Sequence, residues 1–415
     1  MRVKFSTIAV IFFLFVLVTA VMADSEAQIN VNNSAIMQSV QKIAFSSKRN
    51  GNFDIYTIND NGSDLKRLTT GKNDDLKPQW SPDGNKILFL SKEGRKKYSL
   101  RVMNSDGSGQ VRIFNDCSDE YPPAWSPDGT KILFTIKSKG KNGIFTIDVN
   151  GGTPIRLTEM KTDNAYPSWS PDGSKVIFRQ RKRDYYDIYT INPDGTEKFN
   201  LTKEPARYMS LAWSPDGSKV GYIGISRKYF TRNNAVHVIN FDGANDIEIC
   251  DGSKKTEDID YLDQLNWAPD GNTVAFNKVA EYTAYETEKG SVTFEYTYGI
   301  YIVNSKGNQQ EELLDKTGKE RVLPGWAPDS SKLAFVNNSK LKIFNMKSKL
   351  ADEIQVGVTL PLSPVSWSPD GKKVLFAGKG NSFQKAGLYL VTLDGNVTKL
   401  SQENDYDPVW APATQ

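Results

Sequence analysis

Residues 78–89 read Pro78-Gln-Trp80-Ser-Pro-Asp-Gly84-Asn-Lys-Ile-Leu-Phe89, and the Trp-centred part of this stretch recurs to the end of the chain. Trp80-Ser-Pro-Asp-Gly returns at Trp125, Trp169 and Trp213, then as Trp267-Ala-Pro-Asp-Gly, Trp326-Ala-Pro-Asp-Ser, Trp367-Ser-Pro-Asp-Gly and a degenerate Trp410-Ala-Pro-Ala. All eight tryptophans belong to this motif, at spacings of 45, 44, 44, 54, 59, 41 and 43 residues. A period of 40–50 residues built from strand-type segments is the signature of a propeller. It overrides the two or three domains that a length of 415 residues would suggest.

Each unit has a physical reading. A short strand ends at the Trp, and Pro-Asp-Gly turns the chain: Pro presets φ, Asp bonds nearby backbone, and Gly takes a positive φ. An alternating second strand follows, such as Lys86-Ile-Leu-Phe89 or Lys131-Ile-Leu-Phe134. A third strand resembles Asp54-Ile-Tyr-Thr-Ile58, closes in an Asn-Gly or Asp-Gly turn, and leads to a fourth ending in Leu68-Thr69, Leu157-Thr158 or Leu201-Thr202. Second strands begin at Ile43, Ile87, Ile132, Val176, Val220, Val274, Leu333 and Val374, which makes eight. The first lacks an inner strand and the last Trp has no strands after it. Ring closure is therefore expected, with the segment around Trp410 completing the blade begun at Ile43. The expected fold is all-β: a single eight-bladed propeller of four-stranded antiparallel blades over residues 41–415.

The Pro-x-Trp-Ser-Pro-Asp-Gly-x-Lys-Ile-x-Phe stretch, the Asp-Ile-Tyr strand, the Asp-Gly turn and the closing Leu-Thr resemble the TolB-type β-propeller repeat over about residues 40–414. That resemblance implies a propeller that binds partners at a cell envelope. The TolB family carries an α/β domain before a propeller of typically six blades; here residues 24–42 leave no room for one. Relatives of the repeat also precede the hydrolase domain of dipeptidyl peptidases, whose Gly-x-Ser-x-Gly elbow is missing from this chain.

Residues 1–23 read as a secretory signal, with Arg2 and Lys4 before the apolar Ile8–Val18 and a small-residue site at Val21-Met22-Ala23. An uncleaved anchor is the competing reading, since Phe5–Ala23 carries no charge. Residues 24–40 form a short linker. An exported body meets oxidising conditions, yet Cys117 and Cys250 fall three blades apart, so two unpaired thiols are expected. Net charge is +3, from 52 Lys+Arg against 49 Asp+Glu, which argues against a nucleic-acid partner. With one histidine, His237, most acid–base and triad chemistry loses its usual participant.

The aspartates of the turns (Asp83, Asp128, Asp172, Asp216, Asp270, Asp329 and Asp370) read as turn residues, and the tryptophans as packing between blades. Asp60-Asn-Gly-Ser-Asp64 resembles a fragment of a calcium loop but lacks the remaining ligands, so Ca²⁺ has no supporting motif and no cofactor or metal is expected. The loops entering each Trp strand run to the channel mouth, where binding residues on a rigid scaffold belong. Those of blades one to four hold Asp74, Asp75, Asp119, Glu120, Asp163, Asp405 and Asp407 with Tyr121, Tyr166 and Tyr406. They are expected to form an acidic arc. Loops of the other four carry Arg207, Tyr208, Asp258, Asp260, Arg321 and Leu362. Two insertions on the same face, with Tyr229 and Phe230 in blade five and Tyr282, Tyr285, Phe294, Tyr296 and Tyr298 in blade six, supply aromatic contact surface, the second as a hairpin. The resulting expectation is an exported, monomeric, non-catalytic scaffold for an envelope or extracellular protein, a peptide or a glycan. A membrane would be met only through the N-terminal segment. The rivals are a carboxylate- or metal-dependent polysaccharide lyase or hydrolase at the mouth, and an architectural surface module.

Overall fold

The alternating second strands bury both of their faces, and this is what stacks the blades. Ile43, Ile87, Ile132, Val176, Val220, Val274, Leu333 and Val374 are fully enclosed. So are the aromatic residues two positions on, Phe45, Phe89, Phe134, Phe178, Tyr222, Phe276, Phe335 and Phe376. The residue between them is buried in most blades as well, because each blade is covered by a neighbour on both sides. The computed structural model describes residues 40–413 apart from 96, 184, 203–205, 229–230, 252–261, 287–291, 308–311, 319–321, 323, 359, 362, 381–384 and 402. The expected leader and nearly all of the linker lie outside the described residues, as do Tyr229, Phe230, Asp258, Asp260, Arg321 and Leu362.

Lys42–Gln415 form one compact unit. Blade two shows the pattern: Asp75–Trp80, Lys86–Gly94, Lys97–Asn104 and Val111–Cys117 pair in that order, antiparallel, from the inner strand outward. Eight such blades make the ring, an all-β eight-bladed propeller. Its first blade takes Lys42–Ser47, Asp54–Asn59 and Lys66–Arg67 from the start of the body, and its inner strand, Asp405–Trp410, from the end. The register runs from Ile43 opposite Trp410 to Ser47 opposite Asp405, so the closure expected from the repeat count is present. In blade six, Thr273–Glu286 and Val292–Asn304 pair through Tyr282 opposite Tyr296 to Glu286 opposite Val292, giving the expected long hairpin. Blade five extends similarly to Lys228 opposite Thr231. Among the described residues no helix is long and apolar enough to cross a membrane.

The tryptophans join successive blades. Trp125 Nε1 donates to the Gln79 carbonyl (3.2 Å), Trp169 to Ala124 (3.2 Å), Trp213 to Ser168 (3.4 Å) and Trp267 to Ala212 (3.2 Å). Trp326 continues to Asn266 (3.3 Å), Trp367 to Gly325 (2.9 Å), Trp410 to Ser366 (3.4 Å) and Trp80 to Val409 (3.3 Å). In each case the acceptor is the residue just before the preceding blade's Trp, and the eighth bond returns to the first blade.

The Pro-Asp-Gly turns obey the turn reading in detail. Ser81 Oγ donates to Asp83 Oδ1 (2.5 Å) and accepts the Lys86 N–H (2.9 Å), while Asp83 also accepts the Asn85 N–H (3.1 Å). Gly84 stands at φ +71° with Pro412 at 3.4 Å from where a Cβ would lie, so the turn of one blade packs on the proline of the blade before it. The Asp60–Asp64 segment is likewise a turn: the Gly62 N–H bonds the Asn59 carbonyl (2.8 Å), and Asp60 is buried against Lys373 (2.6 Å) of blade eight.

Trp169→Phe, which deletes one inter-blade bond but keeps most of the apolar area, should cost about 1 kcal/mol. Trp169→Ala should cost about 3–5 kcal/mol through the cavity it leaves. Denaturant midpoints at unchanged slope measure both; equal losses would assign the whole effect to the indole N–H.

Candidate functional site

The innermost strands of blades one, two and four share a distortion of backbone at one repeat position. Pairing with the second strand skips between Leu76 and Gln79, between Ala165 and Ser168, and opposite Ala44 and Ser46 in blade one. At each skip the third residue before the Trp adopts left-handed backbone: Lys77 (φ 55°), Tyr166 (φ 53°) and Asp407 (φ 52°). Each precedes a proline, which lacks the N–H that a regular ladder would need. Bulges of this kind re-aim side chains and cluster beside functional sites.

These residues and their neighbours form a continuous line of contacts from blade one to blade five. Asp407 of blade one is solvent-exposed yet walled by protein, and burial raises its carboxyl above the ordinary value while Lys77 pulls it back down. Lys77 of blade two reaches the Asp119 carbonyl (2.8 Å) at the entry to blade three. Asp119 also acts on Tyr98: burial first, then the neighbouring Asp119 carboxylate, pushes the phenol up to about 12. In blade three Tyr121 packs on Tyr166 of blade four at 5.1 Å between ring centres, and burial raises its phenol strongly. Tyr166 is 49% exposed and lies over the Arg179 guanidinium at 4.2 Å; Tyr186 covers Arg179 at 4.9 Å. Arg179 is buried and donates to the Tyr208 carbonyl of blade five.

Two members of the expected acidic arc are corrected by this geometry. Asp405 is fully buried, ion-paired with Arg49 (3.0 Å) and bonded by the Ser401 hydroxyl and the Glu403 N–H. Asp75 is 5% exposed and enclosed with Ser91 and Thr69. Both start an inner strand, where alternation turns the side chain into the blade rather than toward the channel. Three more carboxylates brace loops. Asp74 accepts the Phe53 N–H (3.0 Å) and faces Lys92 (3.8 Å), Asp163 accepts the Asn142 N–H (3.2 Å), and Glu120 binds Lys137 and Asn142. Lys137 is the main reason the Glu120 carboxyl titrates below its usual value. Tyr406 packs edge-on against Phe53 at 5.7 Å. The expected acidic arc is thus mixed in charge: Asp407, Asp119 and Asp163 lie with Lys77 and the buried Arg179 around Tyr121 and Tyr166, whose rings meet at a tilt.

Arg179 is not among the residues the sequence points to, and Lys77 enters there only as a partner for the loop carboxylates. Lys77 had a signal, since it occupies the repeat position of Tyr166 and Asp407. Arg179 follows the buried Phe178, where other blades place Ser46, Leu90, Thr135, Ile223 or Ala377. In blade six, Tyr285 is exposed and Tyr296 and Tyr298 are half-buried. The single histidine stacks on Tyr222 at 5.0 Å with Nδ1 3.3 Å from Asp246, which also accepts the Tyr222 hydroxyl (2.6 Å). Among the described residues no three His, Cys, Asp or Glu side chains are grouped so as to hold a metal ion.

Comparison with known proteins bears on this architecture. Residues 90–281 match the family model of the TolB beta propeller domain. No curated protein sequence matches the chain. An oligogalacturonate lyase from Vibrio parahaemolyticus is 14% identical over 86% of this chain and 98% of its own, with a TM-score of 0.53. A puromycin-hydrolyzing peptidase from Mycobacterium tuberculosis is 16% identical over 80% of this chain and 53% of its own, with a TM-score of 0.55. TolB from Acinetobacter baumannii covers 91% of this chain and 69% of its own at 14% identity and a TM-score of 0.43. At these identities the likeness to the solved structures is one of fold.

Burial raises the Asp75 carboxyl above its ordinary value. A group that binds its proton more tightly in the folded state favours folding at low pH, and its burial weakens the fold as pH rises through and beyond the ordinary carboxylate range. Blade four has Asn164 at the equivalent position. Asp75→Asn should therefore raise stability at pH 7 by up to about 1 kcal/mol, with the gain fading below about pH 4. Thermal melts at the two pH values check both the sign and the fading.

Proposed function

We propose that this chain, whose residues 90–281 match the TolB beta propeller domain, is an exported, monomeric, non-catalytic scaffold that holds a partner at the channel mouth of blades one to four. One observation carries the reading: Tyr166, half exposed on a left-handed bulge, is clamped in place by Arg179 beneath it and Tyr121 beside it. A rigid aromatic side chain at a mouth presents contact area at small entropic cost, and such residues anchor interfaces. The charges around it alternate in sign, so they select the partner's orientation more than they attract a strongly cationic or anionic one. The partner class that fits is a protein segment or peptide of the envelope or extracellular space carrying its own mixed charges around an apolar or aromatic tip. Residues 1–23, with their basic start and apolar run, support export.

The mature body, immobilised beside a Tyr166→Ala/Asp407→Lys variant, should retain an envelope or extracellular partner that the variant binds at least about tenfold more weakly, the loss expected when one interface anchor is removed. Equal retention overturns the mouth as the binding face. Turnover of oligouronates or peptides by the purified protein, abolished by the same substitutions, would replace the scaffold with an enzyme.

A further inference from the structure

The repeat supplies an internal standard against which two neighbouring departures stand out. The outer strands of blades one, three and four close on Thr69, Thr158 and Thr202, whose hydroxyls accept the N–H of Ile55 (2.9 Å), Ile144 (2.9 Å) and Ile188 (3.0 Å). In blade five the outer strand Ile247–Asp251 places Ile249 against Gly307 of blade six as Leu68 is placed against Gly107 of blade two. Cys250 therefore stands in the register of the threonine, opposite Val236. The second departure lies two residues after the buried second-strand aromatic of blade six. Other blades have Ser47, Ser91, Ile136, Gln180, Gly224, Asn337 or Gly378 there, and blade six has Lys278.

The two departures meet across the blade interface. Lys278 Nζ lies 3.9 Å from Cys250 Sγ, and each residue is 6% exposed. The ammonium also lies 5.4 Å from the centre of the Tyr301 ring. The amine thus stands within ion-pair reach of the sulfur, whose thiolate is the nucleophilic form. Cys117 provides the contrast: its sulfur bonds the Tyr98 carbonyl (3.1 Å), and burial pushes its thiol up to about 12.

We propose that Cys250 and Lys278 form an oxidation site that closes to a covalent sulfenamide between blades five and six under peroxide. The thiolate sulfur attacks one peroxide oxygen; the O–O bond breaks and the departing hydroxide takes the lysine proton to leave as water. Cysteine sulfur is thereby oxidised by two electrons to the sulfenic acid and the peroxide is reduced. The neutral Lys278 amine then attacks this sulfur. The N–S bond forms, the S–O bond breaks, and the hydroxyl leaves as a second water with a proton from nitrogen. One thiol, one amine and one hydrogen peroxide give one sulfenamide and two waters. Added thiol reverses the link by attack at sulfur.

The folded full chain, treated with hydrogen peroxide and digested without reductant, should yield the Cys250 peptide joined to the Lys278 peptide, at a mass two hydrogens below their sum. Dithiothreitol should return both peptides, and Cys117 should join to nothing. In Lys278→Arg the cation remains but the amine is gone. Cys250 sulfenic acid should then be trapped by dimedone at least about tenfold more than in the native protein, as expected when the condensing amine is removed. Cys250 left as a thiol in the treated native protein, or oxidised to sulfinic acid without the Lys278 link, overturns the proposal. The native digest decides this even if the variant fails to fold.

Discussion

Each indole N–H that crosses to the carbonyl just before the preceding blade's tryptophan ties one inner strand to the next, and the remainder of the architecture hangs on that circuit. A single such bond is worth about 1 kcal/mol, a modest amount. Its importance comes from repetition and from closure: Trp410 reaches back to Ser366 and Trp80 reaches back to Val409, so no blade is left at an open end. The same ring fixes how deeply each inner strand sits, and therefore which residues look into the channel. With the strands held there, the faces of the second strands have no option but to bury against neighbouring blades.

That constraint also explains where chemistry is placed. Positions within the blades are committed to packing and turn geometry, as the seven turn aspartates and the buried Asp405 show. The freedom left to the chain lies at the inner-strand bulges and at the blade-five and blade-six extensions. Lys77, Tyr166 and Asp407 occupy one bulge position in three blades with three different side chains. Cys250 and Lys278 exploit a second kind of freedom, a pair of core positions at one blade interface where the repeat's usual residues have been exchanged together.

The likeness to TolB propellers and the fold-level likeness to a lyase and a peptidase are consistent with one scaffold serving many tasks. In this chain two tyrosines meeting at a tilt and a buried arginine lie among charges of both signs.

Most of the fold was legible in the sequence because its determinants are local and repeated. A Trp before Pro-Asp-Gly, an alternating strand and a glycine turn each specify their own geometry, and the unequal ends of the repeat count forced closure between Ile43 and Trp410. The blade-six hairpin followed from alternation in Val292–Tyr298. The site was legible only in part. Asp75 and Asp405 share loop composition with Asp407, but their positions at the start of a strand turn them inward, and side-chain direction depends on register across strands far apart in the chain. Arg179, the platform under Tyr166, sits in an otherwise ordinary second strand and acquires its role from Tyr166 and Tyr208, which reach it through the bulge of its own blade and the backbone of the next. Local sequence determined the blades and their number; the closed ring, by setting register and bringing distant loops within contact, decided which charges meet.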